Sequence, residues 1–159
     1  MNPTEHIQLM GVTLQHEVEV VSRLMELLLQ EREALAAHDA GALEKAAQDK
    51  QQQLSKVESW EQERNHLLTS GGYPATQHGM EQYLKAQNNP RLDRLWQQLL
   101  SLSGKCHHQN QVNGGIVEAG RHHIQRALAI LRGVSPDAEL YGPAGKTRSL
   151  HLPNTLTTA

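Results

Sequence analysis

The sequence is poor in the residues that build compact hydrophobic cores. It contains no phenylalanine, aromatic residues make up 3% of the chain, and hydrophobic residues of all kinds reach only 38%. A compact globule needs more apolar surface than this, whereas a helical hairpin with one apolar stripe does not. The composition of these 159 residues therefore favours a single elongated all-α domain over a spherical one.

Features of secreted and membrane-spanning proteins are also missing. The single cysteine, Cys106, cannot form an internal disulfide, and the N-terminus lacks the basic region and continuous apolar core of a secretory signal. Even the apolar run Leu27–Leu29 is flanked by Glu26 and Gln30, whereas a membrane span needs about 20 predominantly apolar residues. We therefore expect a cytoplasmic protein without membrane insertion.

Neither sign of charge forms a block along the sequence. There are 15 basic and 17 acidic residues, which gives a formal net charge of −2. A block of basic residues would attract phosphate backbones or anionic lipid, and none is present. The sequence therefore predicts no nucleic-acid partner.

Ten histidines raise the possibility of a metal site. The two densest groups are Cys106-His107-His108 and His122-His123, both within one predicted helix. At a rise of 1.5 Å per residue these groups lie roughly 24 Å apart, so they cannot bind one ion together. We expect no metal and no cofactor.

Catalytic motifs are absent as well. The chain has no phosphate-binding glycine loop, no GxSxG and no HExxH sequence, and Cys106 falls at a packing position of a heptad repeat. The carboxylate pairs Glu17/Glu19 and Glu31/Glu33 are interpreted as parts of solvated helix faces. The sequence therefore predicts no catalytic residue, and the protein is not expected to be an enzyme.

Apolar residues at steps of three and four predict helices over residues 4–37, 40–68, 76–86 and 90–132. The predicted N-caps are Thr4, Asp39, Thr76 and Asn89, the last of which precedes Pro90. The first helix carries extra apolar residues and should contact more than one neighbour, and the glutamine-rich centre of the second, Gln48 and Gln51–Gln53, is interpreted as solvated. The expected fold is an elongated antiparallel three-helix bundle or coiled coil with a short extra helix and a flexible C-terminal tail.

The fourth helix changes character halfway along its repeat. Its predicted inward positions are Leu92, Leu95, Leu99, Leu102, Cys106, Gln109, Asn113, Ile116, Gly120, His123, Ala127 and Ile130. Leucine dominates the first half, whereas polar and small residues dominate the second, and glycines inside a helix cost roughly 1 kcal/mol each relative to alanine. The functional half of the rod is therefore predicted to lie here.

The tail, residues 133–159, has no periodic apolar pattern and is interrupted by prolines. Ordering a backbone residue costs about 1–2 kcal/mol, and the few large apolar side chains of the tail cannot offset this. We expect the tail to be disordered alone and to fold only against a partner.

Three pieces of the C-terminal half together resemble one family. They are Asn110-Gln111-Val112-Asn113-Gly114-Gly115-Ile116-Val117, then Ala127-Leu128-Ala129-Ile130-Leu131, then Leu140-Tyr141-Gly142-Pro143-Ala144-Gly145-Lys146. This region, sharpest over residues 110–147, is similar to the FlgN family of flagellar export chaperones. The resemblance implies a cytoplasmic chaperone that binds the terminal helices of hook-associated (hook-filament junction) proteins, prevents their premature assembly and delivers them to the type III export gate. It implies as partners those junction proteins, the cytoplasmic domain of the gate and the export ATPase complex.

The resemblance also assigns candidate site residues. Tyr141 matches the tail tyrosine associated with docking to the export gate, and the second half of the last helix with the tail matches the client-binding region. The predicted client-binding residues are Asn113, Ile116, Ile124, Leu128, Leu131, Leu140, Leu150 and Leu152. Some members of the family carry a bulky side chain where this chain has Gly115.

A structural coiled-coil scaffold or homodimerising module is the alternative, because it would use the same heptads. Such a protein would keep its repeat apolar to the end and would not need the Tyr-Gly-Pro-Ala-Gly segment of the tail. A histidine-dependent metal enzyme ranks third.

Overall fold

The computed structural model describes residues 1–131, which form four helices and no strand. They are α1 (Pro3–Ala36), α2 (Ala40–Ser70), α3 (Gln77–Gln87) and α4 (Pro90–Leu131). These bounds differ by at most two residues from the predicted ones. The predicted all-α bundle with a short extra helix is confirmed, and the predicted tail, 133–159, lies outside the described residues.

Side chains cap the start of each helix. The prediction of Thr4 as the first cap was wrong, because Asn2 accepts a hydrogen bond from the Thr4 backbone N–H at 3.1 Å. The Glu5 carboxylate accepts in turn from the Asn2 backbone N–H at 3.2 Å, which completes a capping box around Pro3. The predicted caps Asp39, Thr76 and Asn89 are confirmed.

Helix α1 lies between α2 and α4. Glu17 pairs with Arg64 while Glu31 pairs with Lys50, so α1 and α2 run antiparallel. On the other side, Cys106 approaches the Val21 carbonyl and Asn113 donates to the Leu28 carbonyl, so α1 and α4 run parallel. The bundle is therefore up-down-up, and the prediction that α1 contacts more than one neighbour is confirmed.

The apolar core follows α1 through the bundle. Leucines and valines of α1 meet the leucine-rich first half of α4, and the short helix α3 lies at the end of the bundle where α1 begins, with the Tyr83 hydroxyl 3.1 Å from His6 Nδ1. The largest fully buried side chains include Trp96, Tyr83, Met10, Leu14, Leu24, Leu28, Leu68 and Leu92. Burying each such side chain contributes about 1.5–3 kcal/mol, which holds the three long helices together.

Two ion pairs are buried between α1 and α2. Arg64 Nε lies 3.0 and 3.1 Å from the two carboxylate oxygens of Glu17, and its guanidinium lies 5.1 Å from the centre of the Trp96 ring. Lys50 Nζ lies 2.7 Å from a carboxylate oxygen of Glu31. The prediction that Glu17 and Glu31 are solvated was therefore wrong, because α2 supplies a cation to each of them.

The interpretation of the glutamine-rich centre of α2 was also wrong for one residue. Gln53 is buried and its amide donates to the Val20 carbonyl at 2.8 Å. Gln48, Gln51 and Gln52 are exposed as predicted. Gln53 differs because it lies on the side of α2 that packs against α1.

The Glu17 carboxyl should make the stability of the bundle depend on pH. Burial raises the pKa of Glu17 from 4.5 to about 7, although the charge and hydrogen bond of Arg64 act in the opposite direction. Between these two pH values the folded chain binds more protons than the unfolded chain, so this group makes stability fall as pH rises. Urea unfolding of the wild type and Glu17→Gln from pH 4 to 8 should show the wild type losing stability relative to the variant across this window. Parallel stability curves would contradict the assignment.

Candidate functional site

The C-terminal part of α4 extends beyond the rest of the bundle. Asn113 contacts Leu28 and Glu31 of α1, and α1 ends at Ala36, five to eight residues beyond those contacts. Because the two helices are parallel, Ala36 is level with residues 118–121 of α4. Residues 121–131, here called the α4 extension, therefore continue for roughly 15 Å past the end of α1.

The α4 extension carries an exposed apolar face. Ile124, Leu128 and Leu131 are spaced by four and three residues, so they share one side of the helix. Their exposed fractions are 59%, 41% and 83%, and Ile130, on another side of the helix, is 70% exposed. All three were predicted as binding residues, and the structure places them together on one surface.

The predicted inward repeat of α4 fails along this extension. Gly120, Ala127 and Ile130 were expected to face the bundle, but all three are exposed. The reason is that α1 has ended and offers no surface at this level. The side chain of His123 lies outside the part of the chain that the structure describes.

A buried polar layer marks the point where the apolar core ends. The Asn113 amide donates to the Leu28 carbonyl at 2.8 Å and to Glu31 Oε1 at 2.9 Å, while Lys50 binds Glu31 Oε2. The Gln109 amide donates to Asn113 Oδ1 at 2.9 Å. We call Glu31, Lys50, Gln109 and Asn113 the distal polar layer; its side chains satisfy one another and fix α4 against α1.

The remaining predicted binding residues lie in different environments. Ile116 is half-buried between the distal polar layer and the α4 extension, whereas Asn113 is fully buried with its amide bound to α1. Leu140, Tyr141, Leu150 and Leu152 lie outside the described residues. The structure thus brings Ile124, Leu128 and Leu131 together at the surface and places Asn113 in the distal polar layer, roughly 16 Å before Ile124 along α4.

Helix α4 is continuous through its four glycines, Gly104, Gly114, Gly115 and Gly120, and none of them is required by a neighbour. A methyl group at Gly114, Gly115 or Gly120 would meet no atom within 4 Å. The triple variant Gly114→Ala/Gly115→Ala/Gly120→Ala should therefore stabilise the helix by about 2–3 kcal/mol, because alanine costs less backbone entropy. Thermal unfolding followed by circular dichroism measures this gain.

Gly79→Ala is the matched control for that series. A methyl group there would collide with the Pro74 carbonyl, so the variant should be destabilised. If the triple variant unfolded at the wild-type temperature or below, the α4 glycines would have a structural role that their surroundings do not show.

The described residues also bear on the possibility of a reactive cysteine, a metal site and a membrane-spanning helix. Cys106 is fully buried, and burial raises the pKa of its thiol to about 11, which removes the reactive thiolate at neutral pH. Among the side chains that the structure describes, which do not include His123, no three His, Cys, Asp or Glu residues come close enough to hold a metal ion. None of the helices described here is both long and apolar enough to cross a bilayer.

Comparison with known proteins identifies one family. The family model described as FlgN protein matches residues 4–149, which include all the long helices and the α4 extension. No curated protein and no solved structure matches the chain.

Proposed function

Because the chain belongs to the FlgN family, a family of flagellar export chaperones and not of enzymes, we propose that it binds the terminal helices of hook-filament junction proteins. By covering those helices in the cytoplasm it prevents premature assembly, and it then delivers the client to the type III export gate.

The observation that supports this proposal is the apolar face of the α4 extension. Ile124, Leu128 and Leu131 project from a helix that α1 no longer accompanies, and contiguous exposed apolar surface of this kind is typical of protein-binding sites. An amphipathic helix can lie along such a face and bury it from water. A client helix would therefore supply a neighbour for this face, which α1 does not reach.

The other predicted residues have supporting roles in this proposal. Ile116 contacts the client where the extension leaves the bundle, and Asn113 holds α4 in place from within the distal polar layer. Leu140, Leu150 and Leu152 of the tail add apolar contacts, so the tail becomes ordered as the client binds and part of the contact energy is spent on that ordering. The resulting affinity is moderate, which allows release at the gate.

Delivery requires a second contact, which we assign to Tyr141 on the cytoplasmic domain of the export gate. The export ATPase complex is a further proposed partner. Replacing Tyr141 with alanine should abolish gate binding while leaving client binding intact. Equal loss of both activities would show that Tyr141 belongs to the client site.

The client site is tested by Leu128→Asp in the full-length chain. A carboxylate in the centre of the apolar face should weaken binding of a purified junction protein at least tenfold, or about 1.4 kcal/mol, in calorimetric titration. Leu29→Asp is the matched control, because Leu29 and Leu128 are both 41% exposed and Leu29 lies on α1. The control should bind like the wild type.

A junction protein without its terminal helices should not bind at all. If it bound normally, or if Leu128→Asp left its affinity unchanged, the proposal would fail. If Leu128→Asp instead dissociated a homodimer and left client binding intact, the face would serve self-association, which is the alternative scaffold function.

A further inference from the structure

A second exposed apolar surface lies near the other end of the bundle. Leu9 and Val12 of α1 are 44% and 49% exposed, and with His16 they occupy positions i, i+3 and i+7 of one helix face. The His16 ring stacks on the partly exposed ring of Trp60 from α2, with centroids 4.4 Å apart and planes inclined by 16°. We call Leu9, Val12, His16 and Trp60 the proximal patch.

Acidic residues outnumber basic ones around this patch. Residues 1–22 contain no lysine or arginine, and Arg64 of α2 is buried against Glu17, whereas Lys56 of α2 is exposed one turn from Trp60. The other carboxylates of residues 1–22 and 57–70 face wholly or partly outward: Glu5, Glu19, Glu58, Glu61 and Glu63. Glu5, Glu19 and Glu63 each lie one helical turn from a member of the patch, and Glu19 is 3.3 Å from His16 Nδ1.

Neither the exposed apolar side chains of the proximal patch nor the acidic residues near them contribute to the core of the bundle. Leu9 and Val12 leave about half of their surface in water, and a row of like charges weakens a folded domain slightly through mutual repulsion. An apolar centre with an aromatic side chain and a polar rim is the arrangement that protein interfaces use, and three of the four exposed charged residues one turn from the patch, Glu5, Glu19 and Glu63 against Lys56, are acidic. The rim also gives the sign of the charge that a partner must carry.

We propose that the proximal patch docks a cationic amphipathic helix of a partner protein other than the client. The apolar stripe of that helix covers Val12 and Trp60, and lysine or arginine side chains on its flanks meet Glu19 and Glu63. The patch follows α1 for about two turns beside α2, which suits a helix lying in the groove between them. It lies roughly 40 Å along the bundle from the α4 extension, so both surfaces can be occupied at once.

Two labelled peptides provide the probe for the full-length protein. Both are 18-residue amphipathic helices with the same leucine face, and one carries lysine on its flanks where the other carries glutamate. Fluorescence anisotropy should show the lysine peptide binding at least tenfold more tightly than the glutamate peptide, with a difference that shrinks as salt screens the charges. Tryptophan emission should shift on binding and locate the site, because Trp96 is 1% exposed and only Trp60 can sense the peptide directly.

Variants of the protein distinguish binding of the lysine peptide at the proximal patch from nonspecific charge attraction elsewhere on the surface. Trp60→Ala should lose at least tenfold in affinity for the lysine peptide, and Val12→Ser, which alters an exposed side chain and leaves the core intact, should lose about threefold. Glu19→Gln/Glu63→Gln should lose affinity and flatten the salt dependence. Leu29→Ser and Glu26→Gln/Glu33→Gln, which change an exposed aliphatic residue and two exposed glutamates elsewhere on α1, should behave as the wild type.

The proposal is overturned if the two peptides bind equally, if the controls lose as much affinity as the patch variants, or if the patch variants lose none. It is also overturned if the free protein forms a salt-sensitive dimer that Trp60→Ala dissociates, because a second copy would then be the occupant. These results do not depend on Leu128, so they are separate from the test of the client site.

Discussion

Replacing Arg64 with methionine is expected to lower the free energy of unfolding by about 3–5 kcal/mol, because the change leaves the Glu17 carboxylate buried without its cation. Arg64 also stacks over Trp96 at 5.1 Å, so the variant loses a cation–π contact as well. The loss of stability should be larger at pH 8 than at pH 5. Burial already raises the pKa of Glu17 to about 7, so without Arg64 the Glu17 carboxyl is protonated at little cost at pH 5, whereas at pH 8 it costs more to protonate.

A double variant separates the unpaired charge from the loss of packing. Glu17→Met/Arg64→Met replaces both ions with apolar side chains of similar length and should recover most of the lost stability, since buried ion pairs often contribute little net energy. Arg91→Met is the surface control, because Arg91 is exposed, and it should change stability by no more than about 0.5 kcal/mol. Chemical unfolding at both pH values measures all three variants. An Arg64→Met protein as stable as the wild type would show that the pair is not energetically coupled.

Most of the fold could be predicted from the sequence because its signals are local. The three- and four-residue apolar steps define the helices, and Asp39, Thr76 and Asn89 mark where three of them begin. Asn2 was missed although Asn2-Pro3 repeats the pattern of Asn89-Pro90. In each case the cap bonds to a backbone N–H two or three residues ahead, so no knowledge of the tertiary structure is needed.

The buried ion pairs depend on two helices and could not be assigned in the same way. Glu17 and Glu31 fall within the apolar repeat of α1, which runs Met10, Leu14, Glu17, Val21, Leu24, Leu28, Glu31. Lys50 and Arg64 fall within the repeat of α2, which runs Lys50, Leu54, Val57, Glu61, Arg64, Leu68. Opposite charges at the same two-heptad spacing are a readable signal, but the pairing follows only once the antiparallel register of the two helices is known.

The exposure of the candidate site likewise depends on how two helices, α1 and α4, are aligned. The sequence indicates that α4 is longer than α1 and that its repeat loses leucine after Cys106. Whether Ile124 and Leu128 face a neighbour or water depends on where α1 ends alongside α4. That position is set by the contacts of Asn113 with Leu28 and Glu31, which no local pattern shows.

Replacing Lys50 with methionine is expected to destabilise the distal end of the bundle by about 3–5 kcal/mol. The change leaves Glu31 buried with only the Asn113 amide as a partner, and the side chains of Lys50 and Glu31 are 8% and 5% exposed. Lys45→Met is the matched control on the same helix. Lys45 pairs with Asp49 at 3.1 Å but is 78% exposed, so its loss should cost less than about 1 kcal/mol.

The loss of stability in Lys50→Met should be confined to one end of the bundle, because the distal polar layer lies where the apolar core ends. Hydrogen exchange should speed up in the last turns of α1 and the first turns of α2 while the backbone around Leu14 and Leu68 stays protected. Uniform loss of protection would show instead that the bundle opens as one unit. Since Asn113 ties α4 to Glu31, a loosened layer also leaves the α4 extension less firmly oriented. Client affinity should therefore fall, but by less than in Leu128→Asp, because the apolar face itself is unchanged.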